Sequence, residues 1–218
     1  MAPKTADNQY KVLGTRPIRH DCADKMTVRA IYGVDFDLTG MAHAKTLRSQ
    51  HAHAKIKSID TSAAEAHPDV LAVVTADDFP GLEDRIADLG EGAVNLAHLG
   101  ANVLARGKAL YKGHAIAAVA AKTANAAEEA VKLIKVEYEP LPAVTWVLDA
   151  MKDEVLLHDN VYTDEMGKKG DKPSNISSHL HFEQGDVKKG FAEADVVVER
   201  EFRTESVHHG FSEPLVSS

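Results

Sequence analysis

Cysteine and aromatic residues are scarce in this sequence: 218 residues include one cysteine, and aromatics make up 6%. One thiol cannot form a disulfide within the chain or supply the four thiolates of an iron–sulfur cluster. The longest apolar run, Ala115–Ala121, is far shorter than a membrane span of about 20 residues. The net charge of -8 argues against binding to a phosphate backbone. We therefore expect neither a membrane nor a nucleic acid as a partner.

The rest of the composition is that of an ordinary folded protein. Hydrophobic residues make up 44% and charged residues 27% of the chain, and the mean hydropathy is -0.25. The length suggests one large domain or two small ones. The N-terminal sequence MAPKTADNQY has no apolar stretch typical of a signal peptide, so we expect a cytoplasmic protein.

Hydrophobic periodicity predicts two strand–helix–strand units, and hence a mixed α/β (α+β) domain. HAIAAVAA is apolar on both faces, which is typical of a central strand. The helix after it places Ala127, Ala130, Val131 and Ile134 on one face, with Thr123 as its cap. Since each helix could carry the chain across a sheet, we expect the two strands of each unit to be parallel neighbours. The other predicted strands are AKTLRSQ, HAKIKSID, DVLAVVTADD and KVEYEP, and the other predicted helix is SAAEAH, with Thr61 as its cap.

Four stretches lie outside these units. Residues 1–24 form a polar, irregular arm, residues 80–110 show no period, and residues 144–178 are predicted to be a polar linker with little secondary structure. In the last stretch, residues 179–218, the strands HLHFEQGD and DVVVEREFRT are predicted on either side of a short helix, VKKGFAEA. That stretch has no room to bury its own apolar faces, so we expect it to begin a further domain.

No catalytic or metal-binding motif stands out. The chain has 12 histidines, some in alternating pairs such as His51 with His53 and His179 with His181. No CxxC or HExxH spacing occurs, and neither a nucleophile elbow nor a phosphate-binding glycine loop is present. We expect no metal bound by this chain, no catalytic residue within it, and histidines that are exposed or hydrogen-bonded at sheet edges.

Three ordered stretches nevertheless resemble one family. LRSQHAHAKIKSIDTSAAEAHPDVLAVVTADD, YKGHAIAAVAAKTANAAEEAVKLIKVEYEPLPAV and FEQGDVKKGFAEADVVVEREFRTESVHHGFSEP resemble successive signatures of the molybdenum-binding subunit of xanthine dehydrogenases and aldehyde oxidases. Together they span roughly residues 15–216. Within this family, IDTSAAEA and LHDN…KPSNI are similar to 4-hydroxybenzoyl-CoA reductase and related dehydrogenases.

The resemblance implies both a fold and partners. It predicts an a/b hammerhead domain at residues 25–143, a linker at 144–178 and the first strands of a molybdopterin-binding domain at 179–218. It further implies a molybdopterin cofactor in the full enzyme, carried by another molybdopterin-domain polypeptide, with an iron–sulfur subunit and a flavin (FAD) subunit as partners. A homodimer is a further possibility. Such enzymes hydroxylate or reduce a carbon centre, exchanging oxygen with water, and the cofactor carries that chemistry.

Two residues correspond to family positions near the start of the cofactor domain. His209 lies where the family histidine is expected, and Glu213 matches the glutamate of a Glu-Pro pair. Their alternative role is structural, with Glu213 accepting hydrogen bonds from backbone amides at a strand end. The family's glycine-rich cofactor loops and catalytic glutamate have no counterpart here, so the substrate cannot be read from this sequence.

Two hypotheses remain open for the whole chain. The first is a component of a molybdenum hydroxylase, either an N-terminal portion or a small subunit, inactive by itself. The second is a non-catalytic scaffold or binding protein built on the hammerhead domain. In the first case residues 179–218 form a docking element that is only marginally ordered alone, because an isolated strand pair is barely stable in water.

Overall fold

The computed structural model describes residues 11–88, 90 and 93–210. Backbone contacts divide these residues into two compact units. The larger unit is residues 40–199, and the smaller consists of residues 11–39 together with 200–210.

The larger unit contains all the strands found in the described residues. They are β1 (His43–Arg48), β2 (Ala54–Asp60), β3 (Val70–Thr75), β4 (Ile86–Asp88), β5 (Ala93–Asn95), β6 (Lys108–Ala109), β7 (Ala115–Ala121), β8 (Lys135–Pro140), β9 (Tyr162–Glu165) and β10 (Lys168–Pro173). The helices are α1 (Cys22–Met26) in the smaller unit and, in the larger, α2 (Ser62–Glu65), α3 (Leu96–Val103), α4 (Ala124–Leu133), α5 (Val147–Ala150) and α6 (Val187–Glu193).

Strand β7 is the centre of the first sheet, as its sequence predicts. The sheet has the order β1-β7-β3, and both pairs are antiparallel. Ile116, Ala117, Val119 and Ala121 of β7 are buried. The strand can be covered on both faces because its residues are apolar throughout and mostly small.

The expected parallel pairing within each strand–helix–strand unit is wrong. Strand β8, which follows α4, pairs with β2 in a second antiparallel sheet of order β6-β2-β8. The helix α2 likewise connects β2 of the second sheet to β3 of the first. Both edges of β7 are already occupied by β1 and β3, so β8 has no free edge there. An apolar pattern specifies a buried face, and it does not specify which strand pairs with which.

The two sheets share one core with helix α4. Ala117 and Val119 of β7 pack with Ala130 of α4 and with Ile134, the residue that follows the helix. Ile59 of β2 packs against this cluster and also against a second one around Ile116, so the second sheet contributes to both. The predicted apolar face of α4 is thereby confirmed.

The N-terminal caps follow the prediction for α4 and differ from it for α2. The Thr123 hydroxyl accepts a hydrogen bond from the Ala126 backbone N–H at 3.1 Å. At α2, the Thr61 hydroxyl makes no such bond and instead donates to the Glu65 carboxylate at 2.6 Å. The Asp60 carboxylate accepts from the Ser62 backbone N–H at 3.1 Å in its place. A carboxylate one residue earlier thus takes over the predicted role of Thr61.

Two stretches expected to be irregular contain regular structure. Residues 80–110 include the hairpin β4–β5, helix α3 and the short strand β6. Residues 144–178 include α5 and the hairpin β9–β10, whose turn places Met166 and Gly167 at φ 54° and 89°. The strands β9 and β10 have polar sequences, and the remaining elements are too short for an apolar period to stand out. The expectation that residues 144–178 contain little secondary structure is therefore wrong, and their assignment as a linker stays a prediction.

The last described stretch has less structure than predicted. Helix α6 forms at Val187–Glu193, as expected, and the Asp186 carboxylate accepts from the Lys189 N–H at 2.9 Å. The two predicted strands on either side of it are absent from residues 179–210. Their apolar side chains have no facing layer among the described residues. In the arm, residues 22–26 form the short helix α1 instead of an irregular chain.

Candidate functional site

The two residues singled out by sequence are not brought together by the described structure. His209 lies exposed in a stretch without regular secondary structure. Glu213 lies outside the described residues. Neither their proximity nor a role at a cofactor can be derived from this geometry, and both assignments stay predictions.

Beside the exposed histidines, which match the expectation, three other histidine environments occur among the described residues. His114 is fully buried and hydrogen-bonded: its Nδ1 accepts from the Leu110 N–H at 3.1 Å, and its Nε2 lies 2.9 Å from the Ala101 carbonyl oxygen. Burial lowers the pKa of His114, so the ring is neutral at neutral pH. His51 stacks at an angle on Tyr138, with ring centroids 4.9 Å apart. The third kind is a cluster that includes His53, described below.

A cavity of about 540 Å³ lies between the start of β2 and the stretch after β8. Its apolar walls include Leu110, Val144 and Leu157, and its polar lining includes His53 and His158. A volume of this size is within the range of small-molecule sites. The wall is largely built by residues 143–177, the stretch predicted to be a linker.

Hydrogen bonds to one carboxylate and one amide fix that wall. The Asp153 carboxylate accepts from the Asn175 backbone N–H at 2.8 Å and from the Ser174 hydroxyl at 3.1 Å. These bonds, the Asn175 N–H first among them, lower the pKa of Asp153. The Asn175 side-chain amide donates to the Ala150 and Val155 carbonyl oxygens at 2.9 and 2.8 Å. Its oxygen accepts from the Leu157 N–H at 3.0 Å. Polar contacts thus cross-link residues 150–157 to residues 174–175.

Two imidazoles, those of His98 and His158, meet beside this wall, and His53 lines the same cavity as His158. The rings of His98, on α3, and His158 have centroids 5.2 Å apart. His53 Nδ1 lies 2.7 Å from the Pro142 carbonyl oxygen. Burial lowers the pKa of His158, and His98, Lys108 and His53 lower it further. No spacing in the sequence predicts this cluster, because His53, His98 and His158 lie far apart in the chain.

The donor sets present do not form a metal centre. Among the described residues, no group of three or more histidine, cysteine, aspartate or glutamate side chains could hold a metal ion. Within that same part of the chain, no helix is long and apolar enough to cross a membrane.

Comparison with known proteins identifies the class. The model of the aldehyde oxidase and xanthine dehydrogenase a/b hammerhead domain matches residues 27–142. A molybdopterin cofactor-binding domain matches residues 168–217. The chain belongs to the aldehyde oxidase and xanthine dehydrogenase family, and the predicted fold is confirmed.

Several relatives show the range of this family. Xanthine dehydrogenase of Dictyostelium discoideum is 32% identical over 201 residues, which are 92% of this chain and 13% of the relative. The carbon monoxide dehydrogenase large chain of Afipia carboxidovorans is 38% identical over 183 residues, 81% of this chain and 22% of the relative. The chain spans 13% to 24% of the length of the first such relatives.

Solved structures agree with the fold. CO dehydrogenase from Oligotropha carboxidovorans superposes with a TM-score of 0.63 at 32% identity, covering 84% of this chain and 22% of that one. Quinoline 2-oxidoreductase from Pseudomonas putida 86 gives a TM-score of 0.58 at 36% identity, covering 68% and 19%.

The described residues do not by themselves fit a molybdopterin. Of the stretch matched to the cofactor domain, residues 179–210 are exposed throughout. They form no buried cradle of backbone amides that could receive a phosphate or a pterin ring. We therefore derive no chemical step through that cofactor.

Proposed function

We propose that this chain supplies the hammerhead domain and the beginning of the molybdopterin-binding domain of an oxidoreductase of the molybdenum hydroxylase family. Catalysis then requires further polypeptide, and the chain alone is inactive. The observation that carries this proposal is the exposure of Val196, Val198 and Phe202, which are 78%, 72% and 87% exposed within the stretch matched to the cofactor domain. Apolar side chains in such a row call for a covering layer.

The domain boundaries of the proposal are those expected from the sequence. The arm is residues 1–24, the hammerhead domain 25–143, the linker 144–178 and the start of the cofactor domain 179–218. The matched ranges 27–142 and 168–217 support this order, although the second begins within the proposed linker at β10.

The proposed partners are a molybdopterin-domain polypeptide, an iron–sulfur subunit and a flavin subunit carrying FAD. Several relatives are subunits by name, such as the nicotinate dehydrogenase large molybdopterin subunit of Eubacterium barkeri and the 6-hydroxypseudooxynicotine dehydrogenase complex subunit gamma of Paenarthrobacter nicotinovorans. A cytoplasmic assembly, and the possibility of a homodimer, belong to this proposal. His209 and Glu213 lie in it near the cofactor.

Metal and pterin content test the proposal. The tagged full chain is purified from its native host and, separately, from a host that makes the cofactor but lacks the partners. We expect molybdenum, iron and oxidised pterin to co-purify in near-stoichiometric amounts only from the native host. The non-catalytic scaffold hypothesis predicts none of them from either host, and that outcome would overturn the proposal.

A matched pair of variants tests whether the co-purification of molybdenum depends on the exposed residues Val196 and Val198. The double variant Val196→Asp, Val198→Asp places two charges where the covering layer is expected to pack, so it should lose the co-purifying molybdenum. Val12→Asp introduces the same residue at an exposed valine outside both matched ranges and should retain it. Equal retention by both variants would show that the row does not contact the partner.

Within the family, we propose that the assembled enzyme resembles 4-hydroxybenzoyl-CoA reductase. The support is the resemblance of IDTSAAEA and of LHDN…KPSNI, residues that include Asp153's partner Asn175 and the clustered His158. The assembled complex is assayed with 4-hydroxybenzoyl-CoA and reduced viologen as the electron donor. In parallel it is assayed with xanthine, carbon monoxide and an aldehyde, each with an oxidised dye as the electron acceptor. Turnover of the thioester alone supports the assignment, and turnover of any other substrate alone contradicts it.

A further inference from the structure

The cluster of three imidazoles joins three separate elements of the larger unit. His53 directly precedes β2, His98 lies on α3, and His158 lies between α5 and β9. The rings of His98 and His158 are 5.2 Å apart and inclined by 36°. His53 and His158 line the same cavity. His158 thus lies in the stretch that follows the hammerhead residues, and its ring contacts that of His98, which lies within the range matched to the hammerhead domain.

Two ring nitrogens of these histidines lack a hydrogen-bond partner among the described residues. The Pro142 carbonyl oxygen can only accept, so Nδ1 of His53, 2.7 Å away, carries the proton. Nε2 of His53 and Nε2 of His98 are buried, and no side chain or backbone group of the described residues bonds to either.

The charges around His158 oppose protonation. The Lys108 ammonium donates to the Leu157 carbonyl oxygen at 2.8 Å, one residue from His158. Among the described residues, the carboxylate that acts on His158 is that of Asp159, 3.8 Å from the Lys108 ammonium and 87% exposed, so solvent screens it. The groups that act on His158 are therefore one lysine, two imidazoles and one weakly effective carboxylate.

We propose that His158, with the rings of His98 and His53 beside it, forms a proton-sensitive latch that holds residues 155–161 on the hammerhead core when His158 is neutral and releases them when it gains a proton. This inference does not depend on the proposed enzyme activity. Its consequence is that acid loosens the stretch leading into the residues matched to the cofactor domain.

The direction of the pH dependence follows from linkage. The pKa of His158 is lower in the folded latch than in an open chain, so the open form binds more protons at acidic pH. The latch is fully stable above the ordinary histidine pKa of about 6.5. It weakens as the pH falls below that value, and the loss levels off below the lowered pKa of the closed form.

Hydrogen exchange on the full chain tests the latch. After correction for the intrinsic pH dependence, exchange at 155–161 should rise at least about fivefold between pH ~7.5 and pH ~5. His158→Asn, which cannot be protonated in this range, should lose that increase. The matched control His181→Asn, at a histidine whose side chain is 72% exposed, should keep it. An unchanged pH response in His158→Asn would overturn the proposal.

A second measurement covers the case in which His158→Asn opens the latch even at neutral pH. In the unmodified chain, the imidazole C–H resonance of His158 is followed by NMR from pH ~8 to pH ~4.5. The latch requires a midpoint below that of the exposed His181, together with amide broadening or loss at 155–161 over the same range. A His158 midpoint at or above that of His181 contradicts the latch regardless of the variant.

Discussion

Strand β7 and the stretch 194–203 contain similar apolar residues in opposite environments. Val119 of β7 is 0% exposed, whereas Val198 is 72% exposed. The first has antiparallel neighbours on both edges and α4 packed against its sheet. Among the described residues, the second has no facing sheet or helix. Valine has the same preference for burial at both positions, so the difference lies in what the chain provides around it.

A hydrophobic pattern predicts which residues become buried, but it does not predict which part of the structure covers them. In both regions the pattern predicts residues that become buried. Among the described residues, only β7 has such a covering layer, in the form of α4 and the second sheet. The exposed apolar residues of the second region are the observation on which the proposal of a further polypeptide rests.

Native-state hydrogen exchange gives the largest expected contrast. Amides of Ala115–Ala121 should open only with global unfolding and reach protection factors above about 1,000. Amides of Val196–Arg203 should exchange at rates close to those of an unstructured peptide. The measurement uses the isolated full chain at neutral pH. Equal protection of both stretches would mean that the second is part of a self-contained domain. Residues 179–218 would then not be a docking element for a further polypeptide.

The same substitution in both regions sharpens the contrast. Val119→Asp buries a carboxylate with no partner in the core, and we expect it to lower the free energy of unfolding by more than about 4 kcal/mol or to prevent folding. Val198→Asp should change that free energy by less than about 0.5 kcal/mol, because the side chain is already in water. Urea unfolding followed by circular dichroism measures both. A large effect of Val198→Asp would reveal a layer over that valine.

Much of the fold could be predicted from the sequence because its signals are local. The strands around Ala115 and Lys135, the apolar face of α4 and the cap at Thr123 each depend on neighbouring residues alone. Strand partners could not be predicted in the same way. They depend on which sheet edges remain free, and β1 and β3 occupy both edges of β7.

The candidate site was harder to predict than the fold. His98 and His158 meet only because α3 and the stretch after α5 fold onto the same region, and no spacing in the sequence records that contact. The hairpin β9–β10 was missed for a related reason: its residues are polar, and the bonds around Asn175 that stabilise its surroundings connect residues 18 to 25 positions apart. Glu213 lies outside the described residues, so its predicted role is untested.

The stretch 144–178 is intermediate between the two regions, since hydrogen bonds stabilise it more than apolar burial does. Asn175→Ala removes a side chain that makes three hydrogen bonds to backbone groups. We expect it to destabilise this stretch by about 2–3 kcal/mol, because buried backbone groups lose their partners. Exchange at 155–161 should rise while exchange at Ala115–Ala121 stays slow. The control Asn160→Ala, at an exposed asparagine, should leave both unchanged.

The smallest expected effect concerns the N-terminal cap of α4, the helix that packs on the first sheet. Thr123→Ala removes the hydroxyl that accepts from the Ala126 N–H, and should lower the free energy of unfolding by about 1 kcal/mol. Thr61→Ala is the matched control, since Asp60 satisfies the first N–H of α2 instead, and should cost less than about 0.5 kcal/mol. Both are measured by urea unfolding. Because α4 packs on the core of the first sheet, the loss at Thr123 should appear in global stability and not only as fraying of the helix. Equal effects of the two variants would mean that threonine caps contribute too little to distinguish α4 from α2.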